Sequence, residues 1–139
     1  MSSKSGIYAV NTSAGNSLAI GSIYSPTTIV RRYGKYCNLG ADGIIIGDCN
    51  SGAGYYEVDA TISVLSSVAG SVSATLYKDG VPITGATTIA TATASDQYIT
   101  LPISALVRLN CNCDTANISV VMGGQATTTF NLAIDVVKE

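Results

Sequence analysis

Histidine and tryptophan are absent from these 139 residues, and charged side chains make up only 12% of them. Without histidine the chain loses the commonest general base and the commonest transition-metal ligand, so histidine-based nucleophile triads are excluded. No serine lies in a nucleophile-elbow pattern, and no Ser-x-x-Lys occurs. An enzyme is therefore not expected, and no cofactor is implied. Basic residues are few as well: the net charge is −2 and the only adjacent basic pair is Arg31-Arg32, so a nucleic-acid partner is not expected. No apolar run approaches the ~18 residues of a membrane span, and MSSKSGIYAV lacks a basic region followed by an apolar stretch. The reading is a soluble chain with no membrane partner and no secretion signal of its own. Its length suits one domain, residues 1–139, with residues 1–6 as a short N-terminal arm.

What is present in quantity is Thr, Ser, Ala, Gly, Val and Ile, a balance that favours strands and small-residue turns over helices. Low charge leaves a poorly solvated surface, part of which a partner is expected to cover. Apolar residues recur at every second position in short runs, which predicts an all-β sandwich or barrel. The runs are Ile7–Asn11, Ser17–Ile20, Thr27–Tyr33, Tyr36–Leu39, Gly43–Gly47, Gly54–Val64, Ser71–Lys78, Thr88–Ala92, Gln97–Ile103, Leu106–Cys113, Asn117–Met122 and Thr128–Val137. Within them, parity predicts a core containing Val72, Ala74 and Leu76; Ile99, Leu101 and Ile103; Val107, Leu109, Cys111 and Cys113; Ile118, Val120 and Met122; and Phe130, Leu132, Ile134 and Val136. Asp79-Gly80 and Gly123-Gly124 read as tight turns, and Ile83 to Ser95 as a loop with a short edge strand.

The run Gly54–Val64 poses the functional question. Tyr56, Val58, Ala60, Ile62 and Val64 share a dry face, while Tyr55, Glu57, Asp59, Thr61 and Ser63 share the other, which must meet water, a ligand or another copy. Glu57 and Asp59 form a spaced carboxylate pair of the kind a glycosidase uses, though such pairs more often lie at solvated or interface positions. Four cysteines, Cys37, Cys49, Cys111 and Cys113, allow three readings: small apolar core residues, disulfides, or a zinc site. No C-x-x-C unit supports zinc, so no metal is assigned. Asp42, Asp48 and Asp79 lack the alternating spacing of a calcium loop and read as turn residues.

Gly54-Tyr55-Tyr56-Glu57-Val58 resembles the G-x-Y-x-aromatic motif of the complement-globular-head and tumour-necrosis-factor-like jelly rolls. The stretch Ala74 to Gly85, with its Asp79-Gly80 turn, the strand Leu106 to Asn110 and the closing run Phe130 to Val137 are similar to the same family. Tyr8 to Thr12, Val30 to Gly34 and the Gly54 segment further resemble small stand-alone members from Gram-positive gut bacteria and their phages, and the tips of spore-surface filaments. Val58 and Ala60 stand where animal members carry aromatics, and Asn110-Cys111-Asn112-Cys113 replaces a Gly-Asp turn. The resemblance implies a ten-strand jelly-roll sandwich assembled as a homotrimer, with Tyr55, Glu57, Asp59 and Arg108 as trimer contacts and Arg108 meeting Glu57 or Asp59. It also implies a structural protein on a virion surface, a capsid decoration or a spike or fibre component, contacting capsid or other virion proteins, with Met1–Ser5 as a candidate anchor. The alternative is an adhesion module on a bacterial or spore surface that takes a glycan or receptor, with Tyr33, Tyr36, Tyr77 and Tyr98 as stacking surfaces.

Overall fold

Alternating burial closes the chain into two facing antiparallel sheets in a computed structural model that describes residues 4–48, 52–111 and 114–138. Its strands are β1 (Ser5–Asn11), β2 (Ser17–Leu18), β3 (Thr28–Tyr33), β4 (Cys37–Leu39), β5 (Ile44–Ile46), β6 (Gly54–Ser66), β7 (Gly70–Lys78), β8 (Val81–Ala92), β9 (Gln97–Leu109), β10 (Ala116–Gly123) and β11 (Thr127–Lys138). The first sheet runs β3-β1-β11-β6-β9, with β2 pairing the start of β11; the second runs β4-β5-β10-β7-β8. Consecutive strands repeatedly cross from one sheet to the other, which is the jelly-roll pattern. Among the described residues there are eleven strands rather than ten, a count that includes the two-residue β2. Among the described residues there is no helix.

Tyr56, Val58, Ala60, Ile62 and Val64 of β6 face inward, and Leu101, Leu132 and Ile134 join them from β9 and β11. From the other sheet come Ile44, Ile46, Leu76, Ile118, Val120 and Met122, and all of these are buried. Period-two patterning sorts these side chains because a one-residue slip would turn every one of them to water. Asp79 and Gly80, with φ of 52° and 80°, join β7 to β8. This is the primed turn that Asp-Gly favours.

Several boundaries differ from the pattern, each for a local reason. β1 begins at Ser5, ahead of Ile7, because the Ser5 hydroxyl accepts hydrogen bonds from the backbone N–H groups of Lys35 and Tyr36 and pins that end. Two predicted strands merge into β9, since inward parity runs unbroken from Ile99 to Leu109 across Ser104-Ala105. The supposed loop at Ile83 is part of β8; Gly85 at φ 82° lies in a bulge that leaves the rest of that strand paired with β7. A second bulge falls between Thr129 and Asn131 and flips parity there. Phe130, predicted in the core, is thereby turned outward and is 46% exposed.

The cysteines also divide. Cys37 is a fully buried free thiol, pushed up to about 11 by burial, against which Arg32 and Lys138 pull only partly. Cys111 corrects the core prediction: β9 ends at Leu109, so the alternation never reaches Cys111, which is exposed and disulfide-bonded. Cys49 and Cys113 lie outside the described residues, as do Met1, Ser2 and Ser3 of the candidate anchor. Cys111→Ser is expected to lower stability by ~2–4 kcal/mol, the usual worth of a structural cross-link. Urea unfolding should show the same loss when the parent chain is reduced, and reductant should leave the variant's midpoint unchanged.

Candidate functional site

The outward face of the first sheet stands apart from that of the second. Second-sheet strands present mainly Ser71, Ser73, Thr75, Thr87 and Thr91, short polar groups that water solvates well, with Ile45, Val81 and Ile89 as separate exposed apolar side chains. The first sheet presents Tyr8, Tyr33, Tyr55, Tyr98, Leu106 and Phe130, all exposed. Leu106 is 61% and Tyr98 62% accessible. Exposed apolar side chains gathered on one face mark a candidate contact surface.

Strand register sets which side chains meet. Tyr55 of β6 is directly opposite Arg108 of β9, whose guanidinium carbon lies 5.5 Å from the ring centroid. This cation–π contact keeps the arginine stem against the sheet. Glu57 is opposite Leu106 and so diagonal to Arg108, within reach of a long side chain, whereas Asp59 is opposite Ser104, four residues further along β9. Four residues of strand span roughly 13 Å, so within one chain Arg108 is positioned for Glu57 and not for Asp59.

Asp59 has a different neighbour. On its other side it is in register with Asp135 of β11, and Asp135 is in register with Tyr8 of β1. Burial, and then the Asp59 charge, push the Asp135 carboxyl above its ordinary value. Among the described residues neither carboxylate has a hydrogen bond or an ion pair.

Three depressions mark the face. A groove of about 560 Å³ follows Tyr55, Glu57, Ser104, Ala105 and Leu106, and one of about 380 Å³ continues it past Asp59, Thr61 and Pro102. A notch of about 170 Å³ opens between Tyr8, Arg31, Tyr33 and Asp135, above Gly6. The Tyr33 ring lies over Gly6 so closely that a β-carbon there would stand 2.6 Å from it. At the far end, Tyr98 and Phe130 meet edge to face with centroids 5.0 Å apart.

Tyr55, Glu57, Asp59 and Arg108 therefore share one face, and the first and last of them touch. Tyr33 and Tyr98 are exposed there, but Tyr36 is buried beneath the Lys138 ammonium and offers no stacking surface, while Tyr77 is half-buried on the second sheet. Asp135, Tyr8 and Phe130 were missed. Asp135 was legible as an outward residue from the alternation in Phe130–Val137; its pairing with Asp59 was not, because sequence does not say which strands are neighbours. Among the described residues no group of three or more Cys, Asp or Glu side chains is placed to hold a metal ion.

No protein family model matches the sequence, and no curated protein matches it. Solved structures do match in fold. Murine APRIL at pH 5.0 aligns over 98% of this chain and 99% of its own, with a TM-score of 0.65 and 16% identity. Eiger TNF from S. frugiperda aligns over 98% and 91%, at 0.67 and 16%. PRD1 vertex protein P5 aligns over 96% of both chains, at 0.63 and 18%. The fold is the tumour-necrosis-factor-like jelly roll.

Proposed function

We propose that this chain is a non-enzymatic structural protein that assembles as a homotrimer through the outward face of the first sheet and works on a particle surface, as a phage virion component. The observation that carries the reading is the concentration of Tyr8, Tyr33, Tyr55, Leu106 and Phe130 on that face, against a second sheet faced mainly with Ser and Thr and with fewer exposed apolar side chains, Ile45, Val81 and Ile89. Closed cyclic symmetry lets copies cover one another's faces and stop at a finite number, while an open arrangement would continue to grow. A vertex protein among the fold neighbours, matched along nearly its whole length, supports the virion setting. A capsid decoration or a spike or fibre component fits, with capsid or other virion proteins as further partners. Repeated trimers gain attachment by multivalency.

Light scattering after gel filtration tests the assembly: the expected mass is three times the 14.2 kDa of one chain. A monomer at micromolar concentration overturns the reading. Proteomics and cryo-electron microscopy of purified virions test the setting, and absence of the protein from particles removes it.

Within the trimer, Arg108 stays on its Tyr55 platform and meets Glu57, its own or a neighbour's. Arg108→Glu is expected to weaken trimer formation about tenfold or more, because it places an acidic group where each of the trimer's three Arg108 cations stood. An effect under ~1 kcal/mol, the worth of a screened surface pair, would show that Arg108 lies outside the interface.

The Tyr98–Phe130 pair favours a second reading, a carbohydrate- or receptor-binding module on a bacterial or spore surface, since an exposed aromatic pair offers faces on which a sugar ring stacks. A glycan array separates the two: binding that Tyr98→Ala abolishes while the trimer persists would place recognition at that end of the sandwich.

A further inference from the structure

We propose that the Asp59–Asp135 pair makes assembly of this face proton-linked: each pair shares one proton in the trimer, and the trimer tightens as pH falls. This deepens the trimer reading and rests on it.

Geometry supplies the argument. β11 is the middle strand of β3-β1-β11-β6-β9, and β6 is its neighbour, so the pair lies in the lateral centre of the face rather than at its rim. The two residues are direct register partners, and like charges directly opposite oppose each other. Among the described residues no ion pair compensates them, although Arg31 lines the same notch as Asp135. From β1 the facing group is Tyr8, and from β3 Arg31 and Tyr33. Arg31 stands beyond the Tyr8 position, two strand spacings or roughly 9–10 Å from Asp135 at the backbone. From β6 the nearest further charge is Glu57, another acid, and from β9 Arg108 faces Tyr55. Ala133 and Val137 flank Asp135 along its own strand.

Assembly through this face removes water from the pair, and two adjacent carboxylates with no ion pair of their own take up a proton more readily than they lose solvation as a dianion. In the isolated chain this tendency has already begun, since burial and the neighbouring charge hold the Asp135 carboxyl up. The sign follows. A carboxyl raised on association binds protons in the associated state, so association strengthens as pH drops through the raised value and weakens as pH climbs above it. In a three-fold assembly the three pairs are equivalent by symmetry, so the effect counts three times per trimer.

Sedimentation over a dilution series from about pH 8 to about pH 4.5 tests the linkage, with subunit exchange between differently labelled trimers as the measure where dilution does not dissociate them. The expected trimerisation constant rises as pH falls, with a slope of up to three protons, or about a thousandfold per pH unit at its steepest. Asp135→Asn should flatten the slope and tighten the trimer at the high-pH end, Asp59→Asn should do the same, and Glu57→Gln should keep the slope. A trimer whose affinity ignores pH, or whose slope survives both asparagine variants, overturns the linkage and leaves the trimer standing. A monomer at every pH and in every variant overturns both.

Discussion

Leu106→Glu is expected to give a folded monomer in place of the trimer proposed for the parent chain. Leu106 is the most exposed aliphatic side chain on the outward face of the first sheet; it sits opposite Glu57 and lines the groove beside Tyr55. A carboxylate there meets an apolar partner surface once the copies come together, and an uncompensated charge in such a contact costs ~3 kcal/mol or more, over a hundredfold in affinity. The new acid would also stand opposite Glu57 within its own chain, so Leu106→Lys belongs beside it. Lysine pairs favourably with Glu57 in the monomer and still charges the interface, so both variants should dissociate the trimer if packing holds it. Ile89→Glu, at an equally exposed apolar position on the second sheet, is expected to remain trimeric. Trimers from both Leu106 variants, read by light scattering, would move the contact surface elsewhere.

Leu132→Ala attacks the fold itself. Leu132 is fully buried on the central strand β11, in register with Asn11 on one side and Ile62 on the other. Removing the buried methyl and methine groups of a leucine leaves a cavity between two sheets that cannot close over it, at a cost of ~2–5 kcal/mol. A domain of this size is typically stable by only ~5–15 kcal/mol, so the variant should unfold at markedly lower urea with an unchanged slope. The comparison requires one fixed protein concentration, because an assembling chain gains stability by mass action. The two variants fail differently: Leu132→Ala loses fold and trimer together, whereas Leu106→Glu loses the trimer and keeps the strand signature in circular dichroism. A loss below about 1 kcal/mol at Leu132 would contradict its place in the core.

The resemblance carried in Gly54-Tyr55-Tyr56-Glu57-Val58 reached the fold, although the three structures named above share only 16–18% identity with this chain. Burial in this sandwich is a period-two property, so β6 could be read residue by residue: all five residues assigned to the dry face are buried. Where prediction failed, a single residue broke the period. The bulge before Asn131 turned Phe130 from core to surface, and the end of β9 at Leu109 left Cys111 exposed and free to cross-link. A bulge costs too little locally to leave a mark in composition.

By itself, then, the sequence determined the all-β class, the inward set of most strands, the Asp79-Gly80 turn, and the presence of Tyr55, Glu57, Asp59 and Arg108 on outward positions, because each follows from near-neighbour sterics and the two-residue pleat. Tertiary structure alone decided which of these side chains meet. Arg108 reached Tyr55 because β6 and β9 pair in one register, and Asp59 was set against Asp135, seventy-six positions along the chain, because β11 closes on the other edge of β6. Strand pairing is a long-range choice, made by the burial of a whole face at once, and no local pattern records it.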